Sequence, residues 1–211
     1  KKYIKIGDIF QVVLSQRFEA KLSKKPIEIY KKLRLTNPSP FMFYFNFSDF
    51  QIIGASPEIL VRLRDNKITV RPIAGTRPRG KSLTQDKFYE KDLLKDKKEL
   101  SEHLMLLDLG RNDAGKVSKI NSVKVTESFV IERYSHVMHI VSNVVGKYNR
   151  KFSKFKSLLA GFPAGTVSGA PKIRAMEIID ELENSKRKVH AGGIRYFSAN
   201  GEVDNCIARR T

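Results

Sequence analysis

The sequence predicts an α+β fold, antiparallel strands with helices inserted between them, on three observations. Strand-length segments rich in aromatic and β-branched residues follow one another at short intervals. Turn residues punctuate them, as in Asn37-Pro38-Ser39-Pro40, Asp65-Asn66 and Asn200-Gly201. Helical patterns interrupt the strands without the regular strand–helix–strand alternation of a doubly wound sheet.

The elements follow in order. Asp8 to Phe18 is apolar with interspersed Gln and Ser and reads as a helix or the start of a buried strand. Pro26 opens a short helix over Ile27 to Leu33, with proline in its first turn. Phe41 to Phe47 is an aromatic strand, and Gln51 to Ala55, Glu58 to Arg64 and Lys67 to Ile73 follow as strands, the last two joined at Asp65-Asn66. Asp86 to Leu109 is the longest helical pattern, with Phe88, Leu93, Leu94, Leu100, Leu104 and Leu107 near helical spacing. Val123 to Val125, Phe129 to Ile131 and Val137 to Val145 read as strands, and Pro171 to Leu182 as a second helix. Gly192 to Ser198 and Glu202 to Arg209 flank Asn200-Gly201, a strong hairpin signal.

With 211 residues, 41% of them hydrophobic, the chain can bury one sizeable core or two small ones. Cys206 is the single cysteine, so no internal disulfide forms and a reducing, cytoplasmic setting is expected. No apolar run reaches the roughly 18 residues of a membrane helix, so no membrane partner is expected. Lys1 at the start and the uncapped strand-like end at Thr211 read as an internal fragment. The net charge of +18 raises nucleic-acid binding as a function class. The basic residues are scattered and broken by acidic ones, with no arginine-rich or aromatic-interleaved stretch, so the charge reads as a lysine-rich surface and no nucleic-acid partner is expected.

Five features could carry chemistry. Gly161 to Lys172 packs glycine, proline, alanine and small hydroxyls ahead of an amphipathic helix. Small residues let backbone approach a ligand, and a helix N-terminus suits an anion. Glu99 and Glu102 share a helix face, with Cβ atoms about 5–6 Å apart. Such a pair suits Mg²⁺, or is a solvated face beside Lys95 and Lys98. His139 lies among valines on a strand, as a core residue or a cleft residue, and Glu58 follows Ser56-Pro57 at a turn, as a buried acid or a surface residue. Ile73 to Gly80 is a second small-residue loop carrying Arg77 and Arg79, whose guanidinium forks suit carboxylates.

Eight ordered strings, GDIFQVVLSQRF, NPSPFMFYF, GASPEILVR, RPIAGTRPRG, DKKELSEHLMLLDLGRND, ERYSHVMHIVSNVVG, GFPAGTVSGAPKIRAMEII and the terminal CIARRT, resemble one family over nearly the whole chain. It is the chorismate-utilising enzymes, and within them anthranilate synthase component I. The resemblance implies two packed antiparallel sheets with outer helices, here one chorismate-binding domain over 1–211, truncated at both ends. It implies a Mg²⁺-dependent lyase that converts chorismate and ammonia to anthranilate and pyruvate, the first step of tryptophan biosynthesis. A glutamine amidotransferase subunit is the implied partner, and L-tryptophan the feedback inhibitor.

Carried over by position, Glu102 resembles the direct Mg²⁺ ligand and Glu99 its water-mediated neighbour. Glu58 resembles the acid that assists loss of the ring hydroxyl, His139 the histidine tied to pyruvate elimination, and Thr166 the hydroxyl beside it. Gly75, Thr76 and Arg210 resemble chorismate contacts, and His190 stands where the family has a contacting tyrosine. Asn37, Pro40, Phe41, Met42 and Cys206 resemble part of the tryptophan pocket. Ala74 stands where aminodeoxychorismate synthase has a nucleophilic lysine, which argues for direct attack by ammonia.

Departures are Gly110 for alanine, Arg195 for glycine and Arg209 for isoleucine. A charged Arg195 or Arg209 in a packed sheet would cost several kcal/mol unless paired. Either they reach solvent, or the copy is decayed and non-catalytic, or the end is misread. The family's second glutamate pair falls beyond Thr211, so the 211-residue piece alone is expected to be inactive. Aminodeoxychorismate or isochorismate synthase is the alternative within the same family.

Overall fold

A computed structural model describes residues 1–209. Along the chain run α1 (Lys2–Lys5), β1 (Gln11–Val12), α2 (Pro26–Thr36), β2 (Phe41–Asn46), β3 (Gln51–Ser56), β4 (Arg62–Arg64), β5 (Lys67–Val70) and β6 (Ile73–Pro78). Then come α3 (Leu83–Leu93), α4 (Lys97–Gly115), β7 (Lys124–Arg133), β8 (Val137–Lys147), α5 (Lys154–Ala160) and a single 3₁₀ turn (Gly165–Val167). The last elements are β9 (Gly169–Ala170), α6 (Lys172–Leu182), β10 (Gly193–Phe197) and β11 (Val203–Ile207). Every strand pairing with a defined register is antiparallel, with helices inserted, as the α+β reading requires.

The chain divides into two compact units. The first gathers Lys1–Leu60, Phe162–Tyr196 and the stretch from Asn205. In it β2 and β3 form a hairpin from Phe41↔Ser56 to Asn46↔Gln51. Glycine is required at Gly54, because a Cβ there would lie 2.3 Å from the Phe43 ring opposite. Strand β1 pairs with β9, and α6 buries Ala175, Ile178 and Ile179. Ile59 bridges to Cys206 near the end of β11, which pins the segment that carries Glu58.

The second unit spans Val61–Gly161 and Phe197–Asp204. Strand β8 is its centre: β5, β6 and β7 all pair with it. β4 joins through β5, and Val203 pairs with Leu63. Leu93, Met138 and Ile140 form a fully buried cluster beneath Tyr89, Leu100, Phe129 and Ile131. Burying a side chain of this size contributes about 1.5–3 kcal/mol relative to leaving it exposed. Asp65 and Asn66 both adopt positive φ, 48° and 56°, as a two-residue hairpin turn demands.

Several elements differ from the sequence reading. The long pattern over 86–109 is two helices, α3 and α4. The break is set by Asp96, whose side chain accepts from Lys98 N and Glu99 N and so starts a new helix. Helix α5, capped by Ser153, lies in a lysine-rich stretch whose charge masks its short apolar face. Asp8 to Phe18 contributes only the two residues of β1. Glu58 to Arg64 is regular strand only over Arg62–Arg64.

Candidate active site

In the second unit a β-bulge builds the most specific geometry. Strand β6 pairs with β8 as Ala74↔Ile140 and Thr76↔His139, which leaves Gly75 unpaired between them. Gly75 has φ +70°, and a Cβ there would press on Ile140 and Leu93 at 3.1 and 3.2 Å. Only glycine meets both conditions, and the bulge turns the Gly75 carbonyl onto the imidazole of His139, 3.0 Å from Nδ1. A carbonyl oxygen only accepts, so Nδ1 carries a hydrogen, and whenever the ring is neutral its lone pair lies on Nε2. Thr76 Oγ1 lies 3.0 Å from the same Nδ1. Gly75, Thr76 and His139 thus form one hydrogen-bonded group.

Helix α4 of the same unit carries Glu99 and Glu102, both half-buried. Two carboxylates on one helix face fit Mg²⁺, which commonly takes one or two carboxylates and keeps waters. No cluster of three His, Cys, Asp or Glu side chains that could hold a metal ion occurs among the described residues. Next to Glu102, His103 is fully buried, with Nε2 2.7 Å from Ser142 Oγ. Ser142 Oγ also accepts from Phe129 N at 3.0 Å. Burial pushes His103 down to about 4, so it is neutral near pH 7. This tie fixes α4 against β7 and β8 and was not legible in the sequence.

The guanidinium forks of Arg77 and Arg79 are engaged by this chain's own aspartates. Arg77 bonds Asp92 at 2.6 Å and Asp96 at 2.9 Å. Arg79 forks onto Asp86, with its closest contact at 2.6 Å, and holds the Asp86 carboxyl below the usual carboxylate range. The ligand-binding reading of these forks therefore gives way to a structural one.

In the first unit Glu58 is buried, 4% exposed, which decides against a surface turn residue. Thr166, on the 3₁₀ turn, donates to its Oε1 at 2.8 Å. Arg209 donates to its Oε2 at 2.7 Å. Burial favours the neutral acid, while the guanidinium favours the carboxylate. The charged Arg209 is thus paired, and Arg195 on β10 is exposed, so neither is a bare charge in a core. His190 is half-buried in a turn, its titration lowered by burial first and then by Arg187. Arg210 lies outside the described residues.

The small-residue loop ahead of α6 serves packing at one position. A Cβ on Gly169 would lie 2.1 Å from Gln11 O, so the β1–β9 pair is what excludes a side chain there. The loop is fastened by Arg187, which donates to Val167 O and to Val13 O, the latter at 2.7 Å. Arg187 is held by Glu183, which also accepts from Ser15 N at 2.7 Å.

Of the residues assigned to a tryptophan pocket, Asn37 and Pro40 are exposed and Phe41 and Met42 half-buried at the start of β2. Phe41 pairs with Ser56, and Ser56 hydrogen-bonds the Cys206 thiol, which burial pushes up to about 11. The first unit therefore links Phe41 to Cys206 through Ser56.

The chain is similar to known proteins along its whole length. Anthranilate synthase component 1 of Cereibacter sphaeroides is 66% identical over 211 residues, covering all of this chain and 42% of that protein. The same-named protein of Pseudomonas putida is 58% identical over the same span, 43% of its length. The crystal structure of anthranilate synthase component I from Streptococcus pneumoniae superposes with a TM-score of 0.91 at 48% identity, over 99% of this chain and 46% of that one. A Bacillus anthracis structure described as a putative 2,3-dihydroxybenzoate-specific isochorismate synthase shares the fold, with a TM-score of 0.81 at 24% identity, over 99% of this chain and 57% of that one. The chain spans less than half the length of the curated relatives it matches. The chorismate binding enzyme family matches residues 1–211, all of the sequence, and the chain belongs to that family.

Proposed function

We propose that this chain is the chorismate-handling part of an anthranilate synthase large subunit. The observation that carries the reading is the Gly75 bulge, which fixes the protonation pattern of His139 with an acceptor-only carbonyl. In the proposed reaction ammonia forms a C–N bond to the chorismate ring and the ring hydroxyl leaves as water. The enolpyruvyl C–O bond then breaks as a ring proton is lost, giving anthranilate and pyruvate. His139, with its Nε2 lone pair, takes part in that elimination, and Thr76 shares its anchor. Glu58 protonates the leaving hydroxyl, steadied by Thr166.

Glu102 would hold Mg²⁺ directly and Glu99 through water. A bound Mg²⁺ supplies charge neutralisation of a substrate carboxylate. His190 and Arg210 contact chorismate, and Asn37, Pro40, Phe41, Met42 and Cys206 belong to a tryptophan-sensing pocket. The partner is a glutamine amidotransferase subunit that delivers ammonia, and the setting is cytoplasmic. No helix among the described residues is long and apolar enough to cross a membrane.

Ala74 is buried and carries no amine, so the ring is not attacked from this position. That favours anthranilate over an aminodeoxychorismate product. Mass spectrometry of products from the full-length parent, fed chorismate, Mg²⁺ and ammonium, tests the reading. Anthranilate and pyruvate in equal amounts support it. Isochorismate or aminodeoxychorismate as the end product would replace it.

A further inference from the structure

We propose that Tyr134, fixed by Glu132 and Arg71, is a positioning residue that holds the plane of the His139 imidazole. The inference rests on the assignment of His139 above. Gly75 O and Thr76 Oγ1, each 3.0 Å from Nδ1, both act at one atom of the ring. The Tyr134 ring supplies the second constraint. Its centroid is 5.5 Å from that of His139, at 64°, an edge-on contact.

Tyr134 is itself immobilised at three points. Its N–H donates to Val137 O at 2.8 Å, across the turn between β7 and β8. Its carbonyl accepts from Arg79 Nη1 at 2.8 Å, and Arg79 is gripped by Asp86. Its hydroxyl donates to Glu132 Oε2 at 2.8 Å. Glu132 is the cross-strand partner of His139, and its other oxygen takes the guanidinium of Arg71. Arg71 reaches Glu127 as well, at 3.4 Å.

The direction of these bonds separates positioning from proton transfer. The tyrosine hydroxyl donates its hydrogen bond to Glu132, and it turns no donor toward the imidazole. Burial and Glu132 push it up to about 12, so it stays protonated throughout the working range. A half-buried carboxylate bonded on both oxygens is a firm stop for the ring above it. The network also has a sequence trace: Glu132 and Tyr134 are two residues apart, as side chains on one strand face are.

The test uses the full-length parent with ¹⁵N-labelled histidine, in wild type, Tyr134→Phe and Glu132→Gln, with His139→Gln to assign the resonance. Long-range ¹H–¹⁵N spectra report the tautomer, and steady-state kinetics report kcat and KM for chorismate. Wild type is expected to hold the proton on Nδ1. Tyr134→Phe keeps the ring but frees its hydroxyl anchor. It is expected to broaden His139 or mix its tautomers, and to lower kcat roughly tenfold to a hundredfold, the cost of a misplaced reacting group. KM should change less than twofold. Glu132→Gln, which weakens the same hydroxyl anchor, should reproduce both effects and serves as the readout if Tyr134→Phe folds poorly.

An unchanged His139 spectrum in a folded Tyr134→Phe chain overturns the proposal, whatever the rate does. A mixed tautomer in the variant, together with a wild type that makes no anthranilate, would sink the assigned reaction and leave the positioning role standing.

Discussion

His139 Nδ1 lies 3.0 Å from the carbonyl oxygen of Gly75, a group that can only accept. One backbone atom at one bulge therefore calls for a hydrogen on Nδ1 of the imidazole. The bulge exists because residue 75 has no side chain: φ is +70° and the space a Cβ would need is filled by Ile140 and Leu93.

Gly75→Ala should accordingly cost stability and activity together. A left-handed backbone at alanine costs about 1–2 kcal/mol, before any shift of Ile140 or Leu93. Urea unfolding of the full-length parent measures the first effect and anthranilate release the second. A variant with native stability and an unaltered rate would show that the bulge is incidental.

Glu102→Gln should weaken divalent-cation binding more than Glu99→Gln. A direct ligand loses a bond to the ion, whereas a water-mediated neighbour typically loses roughly 10–100-fold in affinity. Mn²⁺ titration followed by electron paramagnetic resonance reads this without turnover. Equal, undiminished affinity in both variants would return the pair to a solvated helix face.

The carboxylates illustrate what a sequence can and cannot tell. The spacing of Glu99 and Glu102 placed them on one face of a helix, and the structure keeps them there. The same sequence could not choose between core and cleft for His139, because strand alternation gives two faces and no partner. That choice needed the pairing of β6 with β8, which is long-range information. The strands and the hairpin turns were legible because turn residues such as Asp65-Asn66 act locally. The split of the long helix was not, since a hydrophobic pattern continues across Asp96 and only its capping bonds reveal a new start. Arg77 and Arg79 were misleading for the opposite reason: guanidinium forks look alike whether a substrate or Asp86 fills them.

Arg209→Ile, the residue that the resemblance implies at this position, should lower stability in this chain by about 1–3 kcal/mol. It removes a donor at 2.7 Å from the buried Glu58 carboxyl, and losing one partner of a buried polar group costs that much. Differential scanning of the full-length parent checks it. A higher melting temperature in the variant would mean that the pair is a burden left by drift.

Stability should also fall in acid through Glu183. Arg187 and then the Ser15 contacts lower its carboxyl to about 2 from an ordinary 4.5. A depressed acid contributes stability above its unfolded value and loses it as pH falls from about 4.5 toward 2. Glu183→Gln should flatten this acid limb in urea midpoints measured across that window. A variant whose midpoints track wild type at every pH would remove Glu183 from the account.

The most direct measurement is the fluorescence of anthranilate released by the full-length parent fed chorismate, Mg²⁺ and ammonium, in wild type and His139→Gln. The account predicts release by wild type and a loss of roughly 10²–10⁴-fold in the variant, the scale of a proton-transfer group. A variant as fast as wild type, or a folded wild type that releases none, would contradict it.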